Sequence, residues 1–195
     1  MLEMHLRPSF QRVFVDPVAK YLQKSRVTAT HLTLLAGGLG LFVPIFSLFA
    51  LPLLAVGVMW LSGYFDVLDG TLARMKNHSS DAGAVLDIVM DRWVEVCCIF
   101  ALYFVSPTTR GALCLTMLSS ILLCVTSFLV VGMFVDNQSQ KSFHYSPGLI
   151  ERAEAFIFFT AMLLLPHLFA WFALLFSALV IYTTVLRIWQ FYRSL

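Results

Sequence analysis

The sequence predicts an all-α, polytopic membrane protein: six transmembrane helices preceded by an N-terminal amphipathic helix lying along the interface. Three observations predict it: a composition too apolar for a water-soluble domain, apolar stretches of bilayer-spanning length, and basic residues gathered at alternate connectors. Hydrophobic residues make up 59% of the chain and charged residues 12%, against roughly 45–50% and about 25% in ordinary soluble domains. Hydrocarbon is the solvent that suits this balance.

Residues 1–27 read as an N-terminal interfacial segment and 28–195 as one six-helix membrane domain. In the first segment, Leu6, Phe10, Val13, Phe14, Val18, Tyr21 and Leu22 alternate with basic residues, as in a helix resting among headgroups. A polar tail with incidental hydrophobes is the competing reading, favoured by Pro8 and Pro17. No basic-then-apolar start with a small-residue cleavage site is evident, so a cleavable signal peptide is not expected.

The spans fall near 29–50, 51–72, 85–105, 111–135, 152–166 and 168–190, judged against the roughly 20 residues that cross hydrocarbon as a helix. Leu51-Pro52, Ser106-Pro107-Thr108 and Leu165-Pro166-His167 make short turns at one face, leaving the longer connectors at the other. With the N-terminus inside, Arg7, Arg12, Lys20, Lys24, Arg26, Arg74, Lys76, Arg92, Lys141, Arg152, Arg187 and Arg193 fall at or near the cytoplasmic face, and Arg110 alone falls outside. Gly37, Gly38 and Gly40 in the first span, and Gly57 and Gly63 in the second, read as close helix contacts. Cys97, Cys98, Cys114 and Cys124 lie in apolar stretches and read as buried thiols.

Ionisable residues inside a membrane segment are costly and usually functional, and this chain concentrates them between the second and third spans. Asp66 to Asp91 reads DVLDGTLARMKNHSSDAGAVLDIVMD, that is DxxDGxxAR, eight residues, then GxxxDxxxD. On helices, Asp66 and Asp69 share one face and Asp87 and Asp91 share another. Because one span descends to the connector and the next rises from it, the pairs can meet at similar depth. Four converging carboxylates would repel strongly in a low dielectric unless a cation joined them. Oxygen ligands without Cys or His favour Mg²⁺ or Mn²⁺, and paired ions serve phosphoryl chemistry. Gly70 would let a ligand approach the backbone closely, Ala73 keeps the surface beside it small, and Arg74 could clamp phosphate oxygens. Gly83, one turn before Asp87, could open room beside the third span. Taken singly, Arg74 also reads as an interfacial anchor, and each glycine as a packing residue.

At these residues the sequence resembles the CDP-alcohol phosphotransferase family, and every fixed position of that family's motif is present. The resemblance implies a six-span fold, two Mg²⁺ or Mn²⁺ ions on Asp66, Asp69, Asp87 and Asp91, and Asp91 as general base. It implies that Gly70, Ala73, Arg74 and Gly83 contact the CDP moiety. The implied reaction joins CDP-diacylglycerol to a small alcohol and releases CMP, in phospholipid biosynthesis. It also implies a bilayer setting (an inner or plasma membrane in a bacterium), a cytoplasmic active site, a homodimer and no nucleic-acid partner. Metal binding should weaken Asp91 as a base, so its place in the site is firmer than that role. TATHLT at Thr28–Thr33 resembles the family's TPNxLT-like opening, with Thr30 where the family has asparagine. Thr28 or Thr30 as a helix N-cap accounts for it as well.

Acceptor choice is expected at the inner ends of the last three spans and the 136–151 connector, with Lys141, His144, Glu151, Arg152 and Glu154 as polar groups and Arg92 nearby. LDIVMDR resembles the inositol-type branch of the family more than the DPxxDK form of glycerophosphate-using members, and GLIERAE resembles a GxxxR element of related branches, so an inositol-type or other polyol acceptor is favoured; glycerol 3-phosphate and serine stay as alternatives. Glu95 reads as a partner of Arg92 three residues away. His31, His78 and His167 read as interface markers. An ion-coupled transporter is the second functional class, disfavoured because the aspartates cluster near one face and not at the midplane. A degenerate scaffold is the third, disfavoured because all four aspartates survive.

Overall fold

The computed structural model describes residues 10–77, 80–134 and 152–194. Every regular element among them is helical. A π-helical turn at Gln11–Val15 runs into α1 (Asp16–Gln23), followed by α2 (Ala29–Leu48), α3 (Pro52–Met75), α4 (Asp81–Val105), α5 (Pro107–Phe134), α6 (Arg152–Leu164), a 3-10 turn at Pro166–Leu168 and α7 (Phe169–Ser194).

Six of these helices stand where the six spans were expected. Four, namely α2, α3, α5 and the stretch Pro166–Arg193 that holds most of α7, are long and apolar enough to cross a membrane. α4 has the length, 25 residues, but carries Asp81, Asp87, Asp91, Arg92 and Glu95. α6 is 13 residues long. Large apolar side chains face outward along the helices: Leu53, Leu115 and Trp171 are 75%, 70% and 75% exposed. Water would penalise such a surface and hydrocarbon would not, so the chain is an integral membrane protein.

Helix ends differ from the hydropathy boundaries because caps set them. α4 begins at Asp81 and not near 85, since the Ser80 hydroxyl accepts a hydrogen bond from the Gly83 amide at 3.1 Å. α2 starts on a capping box in which Thr28 Oγ1 accepts from the His31 amide at 3.3 Å and His31 Nδ1 accepts from the Thr28 amide at 3.2 Å. The N-cap reading of Thr28 holds, and His31 completes the cap.

The chain divides into two compact units, residues 2–105 and 106–195. In the first, α2 packs along both α3 and α4, which touch each other far less. Two glycines permit the α2–α4 approach. A Cβ at Gly37 would stand 2.6 Å from Met90 Sδ, and one at Gly40 would stand 2.9 Å from Val94 Cγ2. Gly38 and Gly57, expected to serve likewise, face open space. Buried serines tie helix to helix: Ser62 donates to the Ala36 carbonyl at 2.8 Å and Ser47 to the Ala101 carbonyl at 2.6 Å.

The described part of the N-terminal segment, residues 10–27, is docked against the helices. Val15 and Ala19, four apart, bury against Leu32, Leu68 and Leu72, while Val13, Phe14 and Tyr21 remain 62%, 59% and 78% exposed. Pro17 lies in the first turn of α1, directly after the π turn. Lys76 Nζ donates to the Ser25 and Val27 carbonyls at 2.9 and 2.8 Å, and Gln23 Nε2 to the Met75 carbonyl at 2.8 Å, stitching the end of α3 to the α1–α2 connector.

In the second unit, α7 packs against α5 and α6. Arg110, expected at the outer face, is buried; it donates to the Pro166 carbonyl at 3.2 Å and lies 4.4 Å from the centre of the Phe169 ring. Arg187 is buried too, donating to the Cys124 carbonyl at 3.0 Å and Ser127 Oγ at 3.2 Å. The four cysteines are free thiols, three of them buried and Cys124 half-buried.

Candidate metal centre

Three of the four aspartates meet. Asp66 and Asp69 on α3 and Asp87 on α4 each offer one carboxylate oxygen, and these oxygens lie within 4.8 Å of one another. The helical spacing explains this: a three-residue step puts Asp66 and Asp69 on one face of α3, and Asp87 approaches from α4 across the connector. Asp69 is buried, and Asp66 and Asp87 are half-buried.

The donor set fits a hard divalent cation. Oxygens on opposite sides of an ion held at roughly 2.0–2.6 Å stand about 4–5 Å apart, the span these three share. Three like charges at this range in an apolar surrounding would be relieved by such a counter-charge, and among the described residues no cysteine or histidine joins the cluster to favour zinc. The three carboxylates thus form a set that could hold a divalent metal ion.

Thr33 of α2 also belongs to it. Its buried hydroxyl donates to Asp69 Oδ2 at 2.5 Å, fixing how that carboxylate is turned. Sequence reasoning missed this residue. The available signal was the last position of TATHLT, a hydroxyl close to the mouth of an apolar span.

Asp91, expected in the same set, lies one turn beyond Asp87 on α4 and is not among the three gathered carboxylates. Its Oδ2 stands 3.9 Å from Arg92 Nη2, and Arg92 Nη1 stands 2.9 Å from Glu95 Oε2, so the expected Arg92–Glu95 pair is present.

Gly70, Ala73 and Arg74 occupy the last two turns of α3, directly after Asp69. The Arg74 side chain folds back along its helix. A Cβ at Gly70 would stand 3.5 Å from Arg74 Nη1, and Arg74 Nη2 donates to Thr71 Oγ1 at 3.2 Å. The guanidinium thus lies back beside Gly70, the residue that follows Asp69. Gly83 sits in the first turn of α4, where a Cβ would press on Ser80 Oγ at 3.2 Å. Its absent side chain serves the helix cap as well as any space beside Asp87. Lys141, His144, Glu151 and His78 lie outside the described residues. Arg152 lies over the Phe156 ring at 5.5 Å, Glu154 is in the first turn of α6 and His167 is exposed at a turn.

A carboxylate cluster beside a glycine and a folded-back arginine suits a phosphate-bearing substrate, and comparison with known proteins agrees. The family described as CDP-alcohol phosphatidyltransferase matches residues 26–189. Inner membrane protein YnjF of Escherichia coli (strain K12) is 32% identical over 209 residues, covering 100% of this chain and 97% of that protein. Phosphatidylinositol phosphate synthase of Corynebacterium glutamicum is 31% identical over 158 residues, covering 80% of this chain and 71% of that enzyme. Among solved structures, phosphatidylinositol phosphate synthase of Mycobacterium tuberculosis with CDP-DAG bound has the same fold, with a TM-score of 0.77 at 20% identity over 92% of this chain and 94% of that one. The same enzyme in complex with manganese and citrate gives 0.75 at 19% identity, over 92% and 89%. From its motif, its aspartate cluster and these matches, the chain is an enzyme of the CDP-alcohol phosphatidyltransferase family, a membrane transferase of phospholipid biosynthesis.

Proposed function

We propose that the chain transfers the phosphatidyl group of CDP-diacylglycerol to the hydroxyl of a small polar alcohol, releasing CMP. The observation that carries this reading is the meeting of the Asp66, Asp69 and Asp87 oxygens within 4.8 Å beside Gly70 and the Arg74 guanidinium. Asp66, Asp69 and Asp87 hold Mg²⁺ or Mn²⁺, two ions in all, with Asp91 completing the site. Bound metal supplies charge neutralisation for the pyrophosphate and the departing nucleotide. Gly70, Ala73 and Gly83 leave room for the CDP moiety, and Arg74 donates to its phosphate oxygens.

Asp91 accepts the proton of the attacking hydroxyl. Its position one turn beyond the gathered trio supports the base role over that of a tightly held ligand, since direct coordination would stabilise the carboxylate and weaken it as a base. The acceptor is of inositol type, a phosphorylated polyol included; the names of the Corynebacterium and Mycobacterium relatives support this choice over glycerol 3-phosphate or serine. We further assign six spans across the membrane, with α4 and α6 joining the four apolar ones. The N-terminus and the site are cytoplasmic, residues 1–27 form an interfacial element ahead of a 28–195 membrane domain, and the working form is a homodimer.

The test is CMP release from CDP-diacylglycerol in proteoliposomes, with Mg²⁺ or Mn²⁺ and a panel of inositol, inositol phosphate, glycerol 3-phosphate and serine. Release with an inositol-type acceptor is the expected result. Release with glycerol 3-phosphate or serine alone overturns the acceptor assignment, and release with none overturns the reaction.

A further inference from the structure

The N-terminal segment reaches the Arg74 guanidinium through one saturated hydroxyl. Thr71, buried on α3, donates its hydroxyl proton to the Val67 carbonyl at 2.9 Å and accepts two N–H bonds: from Gln11 Nε2 at 2.7 Å and from Arg74 Nη2 at 3.2 Å. A hydroxyl has one donor and two acceptor positions, so this one is fully used. Among the described residues, the Arg74 guanidinium makes its hydrogen bond here.

Gln11 is itself held in place. Its second amide proton goes to Asp16 Oδ1 at 3.0 Å, and the Asp16 backbone N–H donates to the Gln11 carbonyl. The π-helical turn is what makes this double link feasible. A π turn bonds residues five apart and keeps them near the same side, whereas an α-helix would swing them to different sides. The burial of Val15 and Ala19 against Leu68 and Leu72 then seats the turn on α3. Backbone form, hydrophobic docking and amide orientation all converge on Thr71.

We propose that Gln11 is a positioning residue for substrate binding: through Thr71 it holds the Arg74 guanidinium folded over Gly70, in place to receive the diphosphate of the CDP-lipid. The N-terminal segment is thus part of the nucleotide clamp as well as a membrane contact. The inference rests on the reading of Arg74 as a phosphate donor. Without Gln11, Thr71 still accepts from Arg74, but its second lone pair is unfilled and the hydroxyl is free to turn. The guanidinium then samples extended rotamers that leave Gly70, and substrate binding bears the cost of restoring the folded one.

The full chain in nanodiscs is titrated with CDP-diacylglycerol and with CMP for binding, and assayed for KM and kcat. The variants are Gln11→Ala, Gln11→Asn, Thr71→Val, Thr71→Ser, Arg74→Ala and the double Gln11→Ala/Arg74→Ala. Loss of one such hydrogen bond should raise Kd and KM for the CDP-lipid roughly fivefold in Gln11→Ala and Gln11→Asn, leaving kcat within about twofold. Thr71→Ser should bind as the parent does, and Thr71→Val should behave as Gln11→Ala or worse. Adding Gln11→Ala to Arg74→Ala should change nothing further. An equal loss from Gln11→Ala with or without Arg74 overturns the relay, as does unchanged binding in both Gln11 variants. If Arg74→Ala itself leaves CDP-lipid binding intact, the reading of Arg74 fails, which is a separable outcome.

Discussion

Asp69 shows how much one residue can carry in this fold. It is buried, it joins two other carboxylates, and its Oδ2 takes the Thr33 hydroxyl. Removing a hydrogen-bond partner of a metal ligand commonly costs about 10- to 100-fold in metal affinity. Thr33→Val should therefore raise the Mn²⁺ concentration for half-maximal activity about tenfold, with kcat at saturating metal little changed. Thr33→Ser should restore the parent value, and a metal titration of CMP release checks both. The aspartates were legible in the sequence because charge inside a hydrocarbon span demands a reason. Thr33 was not, because a hydroxyl in a helix can satisfy itself on the carbonyl four residues back; Thr33 Oγ1 is 3.1 Å from the Ala29 carbonyl. Gln11 gave no signal at all, since its role depends on a π turn and a tertiary contact.

At the scale of elements, the α2–α4 seam decides whether Asp87 reaches α3. Gly40→Leu would drive a side chain into Val94, whose Cγ2 stands 2.9 Å from the new Cβ while its Cα is in ordinary contact at 3.5 Å, so the Val94 side chain must shift and the longer leucine presses further into the seam. Overpacking of this kind costs about 1–3 kcal/mol. The expected outcome is a lower unfolding temperature in detergent together with a weakened metal requirement curve, as α4 withdraws Asp87 from Asp66 and Asp69. Gly38→Leu, with nothing within 4 Å of the new Cβ, should move neither. Hydropathy located every helix but placed their ends poorly. Ser80 caps α4 so that the helix starts four residues ahead of the apolar run, and α7 continues past 190 through Arg193 to Ser194. It also could not tell docked from free: Val15 of the π turn and Ala19 and Leu22 of α1 pack against the core, while Phe14 and Tyr21 remain exposed.

Over the whole molecule, Asp66, Asp69, Asp87, Asp91, Thr33, Gln11 and Arg74 all fall in the unit formed by residues 2–105. That explains why donor chemistry was readable from a single motif and the acceptor was not. Acceptor choice was expected along 136–151, which lies outside the described residues. The charge pattern makes a prediction at this scale: with the N-terminus inside, a membrane-impermeant maleimide applied to intact cells should label Thr108→Cys and spare Asp81→Cys until the membrane is opened. The reverse labelling would invert the proposed orientation. Arg110 is a weak guide to the outer face, because its charge is spent on the Pro166 carbonyl and the Phe169 ring.

The central claim, that three aspartates from two helices bind the divalent metal used for phosphatidyl transfer, is tested most directly by measuring Mn²⁺ binding to the purified full chain by electron paramagnetic resonance, in the parent and in Asp66→Asn, Asp69→Asn and Asp87→Asn. The account predicts saturable Mn²⁺ binding in the parent, weakened about 100-fold or more by each substitution, with CMP release falling in parallel. Parent-like Mn²⁺ affinity and CMP release in all three variants would contradict it.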